Sequence, residues 1–166
     1  MRPPQSRSDA AAGSGGAFGA GYGGTRTIGQ RGRGSRGRYR MSAASFLWVA
    51  LGGALGSVAR YWLAGFVAGV TGPYFPWGTL LINVLGSFLI GWFGAWTGAN
   101  GPVDVPADIR VFVMVGICGG FTTFSSFSLQ SLELLYAGEV LRAGCYILGS
   151  VALCLLAVWA GVTLGR

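Results

Sequence analysis

Four apolar stretches, at about residues 45–70, 78–97, 109–136 and 141–164, leave this chain few ways to fold. At 1.5 Å per residue each reaches about 30 Å, the depth of a bilayer's hydrocarbon core. The links between them are short and polar. Pro73 and Pro76 bound the first, Pro102 and Pro106 punctuate the second, and the third is only residues 137–139. Trp62, Trp77, Trp92, Trp96 and Trp159 fall towards segment ends, where an aromatic belt would place them. An all-α membrane protein with four transmembrane helices is therefore expected.

The third segment breaks its own pattern. Residues 116–128 read Gly-Ile-Cys-Gly-Gly-Phe-Thr-Thr-Phe-Ser-Ser-Phe-Ser. Gly119 and Gly120 each weaken a helix by about 1 kcal/mol relative to Ala. Thr122, Thr123, Ser125, Ser126 and Ser128 then bring hydroxyls that a lipid-facing helix would lack. Phe121, Phe124 and Phe127 recur every third residue, as on one helix face or a tight 3₁₀-like turn. Irregular backbone at membrane depth persists only where protein buries it or it lines a wet cavity. A third helix broken at its centre, lining a site, is the expectation.

Charge excludes several chemistries. The chain has twelve Arg, five acids, no Lys and no His. Eight of the Arg lie within residues 1–40 beside the single acid Asp9, so residues 41–166 are formally neutral. Residues 1–40 are rich in Gly, Ser, Ala and Arg and poor in branched aliphatics, which predicts a disordered Arg/Gly-rich tail. Met41 opens Met-Ser-Ala-Ala-Ser-Phe-Leu, an ordinary start for a small membrane protein, so a start placed too far upstream is the other reading of the tail. Without His, neither a zinc site nor a Cys/His nucleophile can be built. Cys118, Cys145 and Cys154 sit singly in apolar sequence and read as small buried hydrophobes. No paired carboxylates lie within a span, so no enzyme is expected.

The polar residues inside the spans favour an anion. Thr79, Asn83, Gly86 or Ser87, and Ile90 share a face of the second segment, and Tyr146 and Ser150 share one of the fourth. With the hydroxyls of the third segment they form a donor-rich lining almost free of charge. Ring edges of Phe carry positive potential and can line an anion's path. No chain of intramembrane carboxylates offers proton coupling. Arg60 is either a snorkelling cation near an interface or an attractor of anions in a vestibule, and the two readings are compatible.

Gly52-xxx-Gly56, Gly65-xxx-Gly69, Gly94-xxx-Gly98, Gly116-xxx-Gly120 and Gly161-xxx-Gly165 permit close helix approach. Four helices enclose little by themselves, so a homodimer is expected. Arg110, Arg142 and Arg166 give the loops almost no asymmetry, so the positive-inside rule scarcely prefers either orientation and a head-to-tail pair is admissible.

Three motifs resemble the Fluc/CrcB fluoride channels: Gly52-Gly53-Ala54-Leu55-Gly56-Ser57-Val58-Ala59-Arg60-Tyr61, Gly78-Thr79-Leu80-Leu81-Ile82-Asn83-Val84-Leu85-Gly86-Ser87-Phe88, and residues 116–127. The resemblance implies a dual-topology antiparallel homodimer in the inner (plasma) membrane with two pores for passive fluoride export. It implies an ion pathway along Asn83, Thr123, Phe124, Ser125, Phe127, Tyr146 and Ser150, with Arg60 at a vestibule. It further implies a structural Na+ held at the dimer interface by the backbone carbonyls of Gly119 and Thr122. A paralogue could replace the second copy, membrane lipid surrounds the assembly, and no nucleic acid is expected as a partner. Two positions depart from the family pattern: Ser126 stands for the usual Thr, and Gln130 for a frequent Glu, with Glu133 one turn beyond. The alternatives are a small dual-topology multidrug exporter, which would need a membrane carboxylate where the first span has Arg60, and a membrane scaffold whose tail binds nucleic acid.

Overall fold

The computed structural model describes residues 43–166, and the expected tail, residues 1–40, lies outside the described residues. The described residues contain four helices long and apolar enough to cross a membrane. Helix α1 is Ala43–Thr71 and α2 is Trp77–Trp96. The third crossing is divided into α3, residues 107–121, and α4, Phe124–Tyr136. Helix α5 is Val140–Leu164.

The links explain how the helices alternate in direction. Gly72 ends α1 with φ 76°, a left-handed conformation that costs glycine little, while its N–H donates to the Ala68 carbonyl at 3.0 Å. The turn from α4 to α5 is a Schellman closure. Gly138, again at φ 76°, donates to Leu135 O at 3.0 Å, and Glu139 N donates to Leu134 O at 2.9 Å. Opposite, Arg110 folds back onto the end of α2, where its guanidinium donates to the Thr97 carbonyl. A cation there also complements the negative end of the helix dipole.

Two of the glycine pairs named above face each other. A methyl on Gly52 would stand 2.5 Å from the Phe112 carbonyl oxygen and 2.9 Å from Gly116 Cα, and one on Gly120 2.5 Å from Gly53 O. Helices α1 and α3 thus touch backbone to backbone, as small residues allow in lipid. Gly161 and Gly165 likewise seat α5 against residues 88–96 of α2. A methyl on Gly65 or Gly69 would meet nothing within 4 Å among the described residues.

The break falls later than the glycines suggest. Residues 111–118 turn as a π-helix, and Gly119 continues helically at φ −65°, ψ −38°. The chain opens only at Thr122 (φ −79°, ψ 156°) and Thr123 (φ −150°, ψ 114°). Packing of Gly120 against Gly53 of α1 outweighs its weak helix propensity, and its lack of a side chain serves proximity. The division also separates the three Phe. Phe121 ends α3 with its ring 3.4 Å from where a Gly86 methyl would be, whereas Phe124 and Phe127 share α4.

Candidate functional site

Two side chains replace the main-chain bonds that the break gives up. In an unbroken helix Thr123 N–H would donate to Gly119 O, and Ser126 N–H to Thr122 O. Here Thr123 N donates to Asn83 Oδ1 at 2.8 Å, and Ser126 N donates to Thr123 Oγ1 at 3.2 Å. Asn83 Nδ2 returns a bond to Thr123 O at 3.1 Å. Thr123 is therefore the N-cap of α4 and Asn83 its brace from α2. The ladder partners of the Gly119 and Thr122 carbonyls have both been diverted. Thr122 also turns its hydroxyl back to Cys118 O at 2.9 Å.

Beside the break lies a cavity of about 310 Å³ between α2, α4 and α5. Asn83, Thr122, Thr123, Phe124, Phe127 and Ser150 line it, and none of its described lining residues is charged. The positive end of α4 opens onto it, since Thr123 and Phe124 belong to both. Ser150 is 5% exposed, and its Oγ has no hydrogen-bond partner. The rings of Phe124 and Phe127 are tilted with centroids 5.5 Å apart. Phe124 is 77% exposed, so the cavity's aromatic wall stands at the surface of the single chain.

A second cavity, about 580 Å³, lies at the end of the molecule where α1 turns into α2 and α4 into α5. Its lining includes Tyr74, Phe75, Thr79, Gln130 and Glu133. Tyr146 stands between the two cavities. It is 1% exposed, and its hydroxyl donates to Gln130 Oε1 at 3.0 Å. Its ring meets Phe75 edge-on at 5.5 Å and Phe127 at 5.2 Å. One turn later on α5 comes Ser150.

Five of the residues expected from sequence thus surround one cavity: Asn83, Thr123, Phe124, Phe127 and Ser150. Tyr146 adjoins it. Ser125 lies on the exposed side of α4, with its hydroxyl 3.2 Å from Thr123 Oγ1. Arg60, on α1, lines neither cavity. Gly119 lies on α3, one turn before the break. Sequence reasoning missed three things: Gln130 as the acceptor for Tyr146, Phe75 as its edge-on neighbour, and Cys154 in the cavity wall. Four-residue spacing from Ser150 could have found Cys154.

Comparison with known proteins agrees with the motifs. A family model described as "CrcB-like protein, Camphor Resistance (CrcB)" matches residues 47–162. A protein of Methylocella silvestris named "Fluoride-specific ion channel FluC" is 62% identical over 116 residues, covering 70% of this chain and 88% of the relative. One of the same name from Rhodospirillum rubrum is 56% identical over 117 residues, covering 70% and 91%. Another from Hahella chejuensis is 46% identical over 126 residues, covering 76% and 98%.

Proposed function

Because the chain belongs to the CrcB-like family, we propose that it is a fluoride-selective ion channel, a multi-pass protein of the inner membrane that lets fluoride leave the cytoplasm passively. The observation that carries this is the uncharged cavity of about 310 Å³, walled by hydroxyls, an amide and two Phe at the positive end of α4. Fluoride is small and strongly hydrated. Its water must be replaced by several close donors, and the buried hydroxyl of Ser150 is such a donor. Ring edges of Phe124 and Phe127 add positive potential without a cation to trap the ion. Conduction requires that each contact be good enough to admit the ion and weak enough to release it.

The path runs from the Gln130 end past Tyr146 and Phe127 to Ser150. Asn83 holds the break so that Thr123 and the start of α4 face the cavity. Its role is partly structural, since its amide already bonds the Thr123 backbone in both directions.

A single chain leaves the Phe124 wall at its surface, which supports a homodimer in which a second copy covers it. The near-equal loop charges support an antiparallel, dual-topology pair. Na+ fits the break. The carbonyls of Gly119 and Thr122 lie near the negative end of α3 and have lost their helical donors, and oxygen ligands suit a hard cation. Bound there, Na+ would neutralise those carbonyls and tie two breaks together.

Purified protein in liposomes loaded with potassium fluoride should release fluoride on addition of valinomycin, and in liposomes loaded with potassium chloride it should retain chloride. Absent fluoride efflux, or equal chloride efflux, overturns the reading. C-terminal reporter fusions should show both orientations, and a single orientation excludes the antiparallel pair.

A further inference from the structure

The cavity beside the break holds a thiol that the fluoride path does not use. Cys154 follows Ser150 by four residues on α5, so the two side chains stack on one helix face, and both line the cavity of about 310 Å³. Ser150 is 5% exposed with an unpartnered hydroxyl at the cavity wall, and a buried donor left open in this way points to an occupant beside it. Asn83, Thr122 and Thr123 contribute hard oxygen and nitrogen groups to the same lining. The Cys154 sulfur is soft and its S–H is a weak donor, a poor ligand for a small hard anion and a strong one for thiophilic metals. The three free thiols also differ in access: Cys118 is buried, Cys145 is exposed, and Cys154 is half-buried.

We propose that Cys154 is a modification site for soft, thiophilic metal ions inside the ion path, and that metallation there closes the path. Its effect on flux rests on the fluoride-channel reading; the reaction at sulfur does not. With mercuric chloride, a sulfur–mercury bond forms and one mercury–chlorine bond breaks. The thiol proton and the chloride leave to solution, and no atom changes oxidation state. The sulfur-bound HgCl group then fills the space next to Ser150 that an ion in transit would occupy.

The test compares two full-length variants in liposomes, Cys145→Ala and Cys145→Ala/Cys154→Ser, both retaining the buried Cys118. Each is referred to its own untreated fluoride efflux, and adducts are counted by intact mass. Mercuric chloride should abolish most efflux in the first variant, with recovery on dithiothreitol, and leave the second unaffected. The first should carry one more adduct than the second. Equal inhibition of both, or full efflux from a Cys145→Ala protein metallated at Cys154, overturns the proposal. Should the serine variant fail to fold, Cys154→Ala takes its place. If the untreated protein passes no fluoride, the channel reading fails by itself. Adduct counts then decide the site: equal numbers in the two variants overturn it, and one fewer without Cys154 upholds it.

Discussion

Asn83 and Thr123, 40 residues apart, are joined through two hydrogen bonds of opposite sense: the side-chain amide donates to Thr123 O at 3.1 Å and accepts Thr123 N–H at 2.8 Å. A side chain of α2 thereby stands in for a missing turn of main chain. Asn83→Ala leaves a part-buried N–H and carbonyl without partners, at a cost of about 1–3 kcal/mol each. Fluoride efflux should fall and the thermal midpoint should drop, while the oligomer seen by size exclusion persists. Asn83→Asp keeps the acceptor, loses the donor and adds a negative charge. It should recover part of the stability and none of the flux. Wild-type efflux in both variants would remove Asn83 from the site.

Phe124 separates transport from folding. At 77% exposure its ring contributes little to the packing of a single chain. Phe124→Ile keeps an apolar side chain and loses the ring edge. Efflux should fall by about tenfold or more, equivalent to at least ~1.4 kcal/mol of added barrier. Dimer assembly should be retained. Unchanged efflux in a correctly assembled variant would show that the ring does not meet the ion.

Tyr146→Phe tests the partition between the cavities. The ring contacts with Phe75 and Phe127 remain, and the hydroxyl's bonds to Gln130 and Thr79 are lost. Stability should fall by about 1 kcal/mol for each neutral hydrogen bond lost. Efflux should change with it, because the phenol and the Gln130 amide lie on the proposed path. A thermal shift with unaltered efflux would make Tyr146 a packing residue.

The α1–α3 contact makes a prediction about the scaffold. Gly52→Ala puts a methyl 2.5 Å from Phe112 O, where both neighbours are backbone and neither can rotate away. Overpacking of this kind costs about 1–3 kcal/mol. Expression and thermal midpoint should both decline. Gly144→Ala, whose methyl meets nothing within 4 Å, should be neutral or stabilising.

Residues 1–40 precede the family match, which begins at residue 47. Protein truncated to start at Met41 should sustain fluoride efflux in liposomes at the rate of the full chain. A large loss would give the tail a part in the channel.

The four crossings are legible because twenty apolar residues in a row have one stable arrangement in lipid. That the third crossing is interrupted is legible too, from hydroxyls where a span has none. Its place near the centre of the crossing is legible as well, but the residue at which it opens is not. Glycines 119 and 120 resemble breakers, yet both stay helical, and Gly120 is held against Gly53 of α1. The true opening depends on Asn83, 40 residues upstream, whose amide competes with the Gly119 carbonyl for one N–H. No local pattern encodes that competition. The pairing of Tyr146 with Gln130 is hidden for a similar reason. Helical spacing assigns each residue to a face, but the three-residue turn at 137–139 decides which faces meet.

Tyr146, nearly sealed from solvent between two cavities, has an electrical consequence. Cavities large enough for water conduct ions far better than packed rings do, so on the proposed path the resistance would concentrate across Tyr146 and Phe127. Along that path most of a transmembrane voltage would drop over a few ångströms of aromatic side chain instead of the full bilayer. An ion stepping past that partition feels nearly the whole potential at once, about 2.3 kcal/mol for each 100 mV.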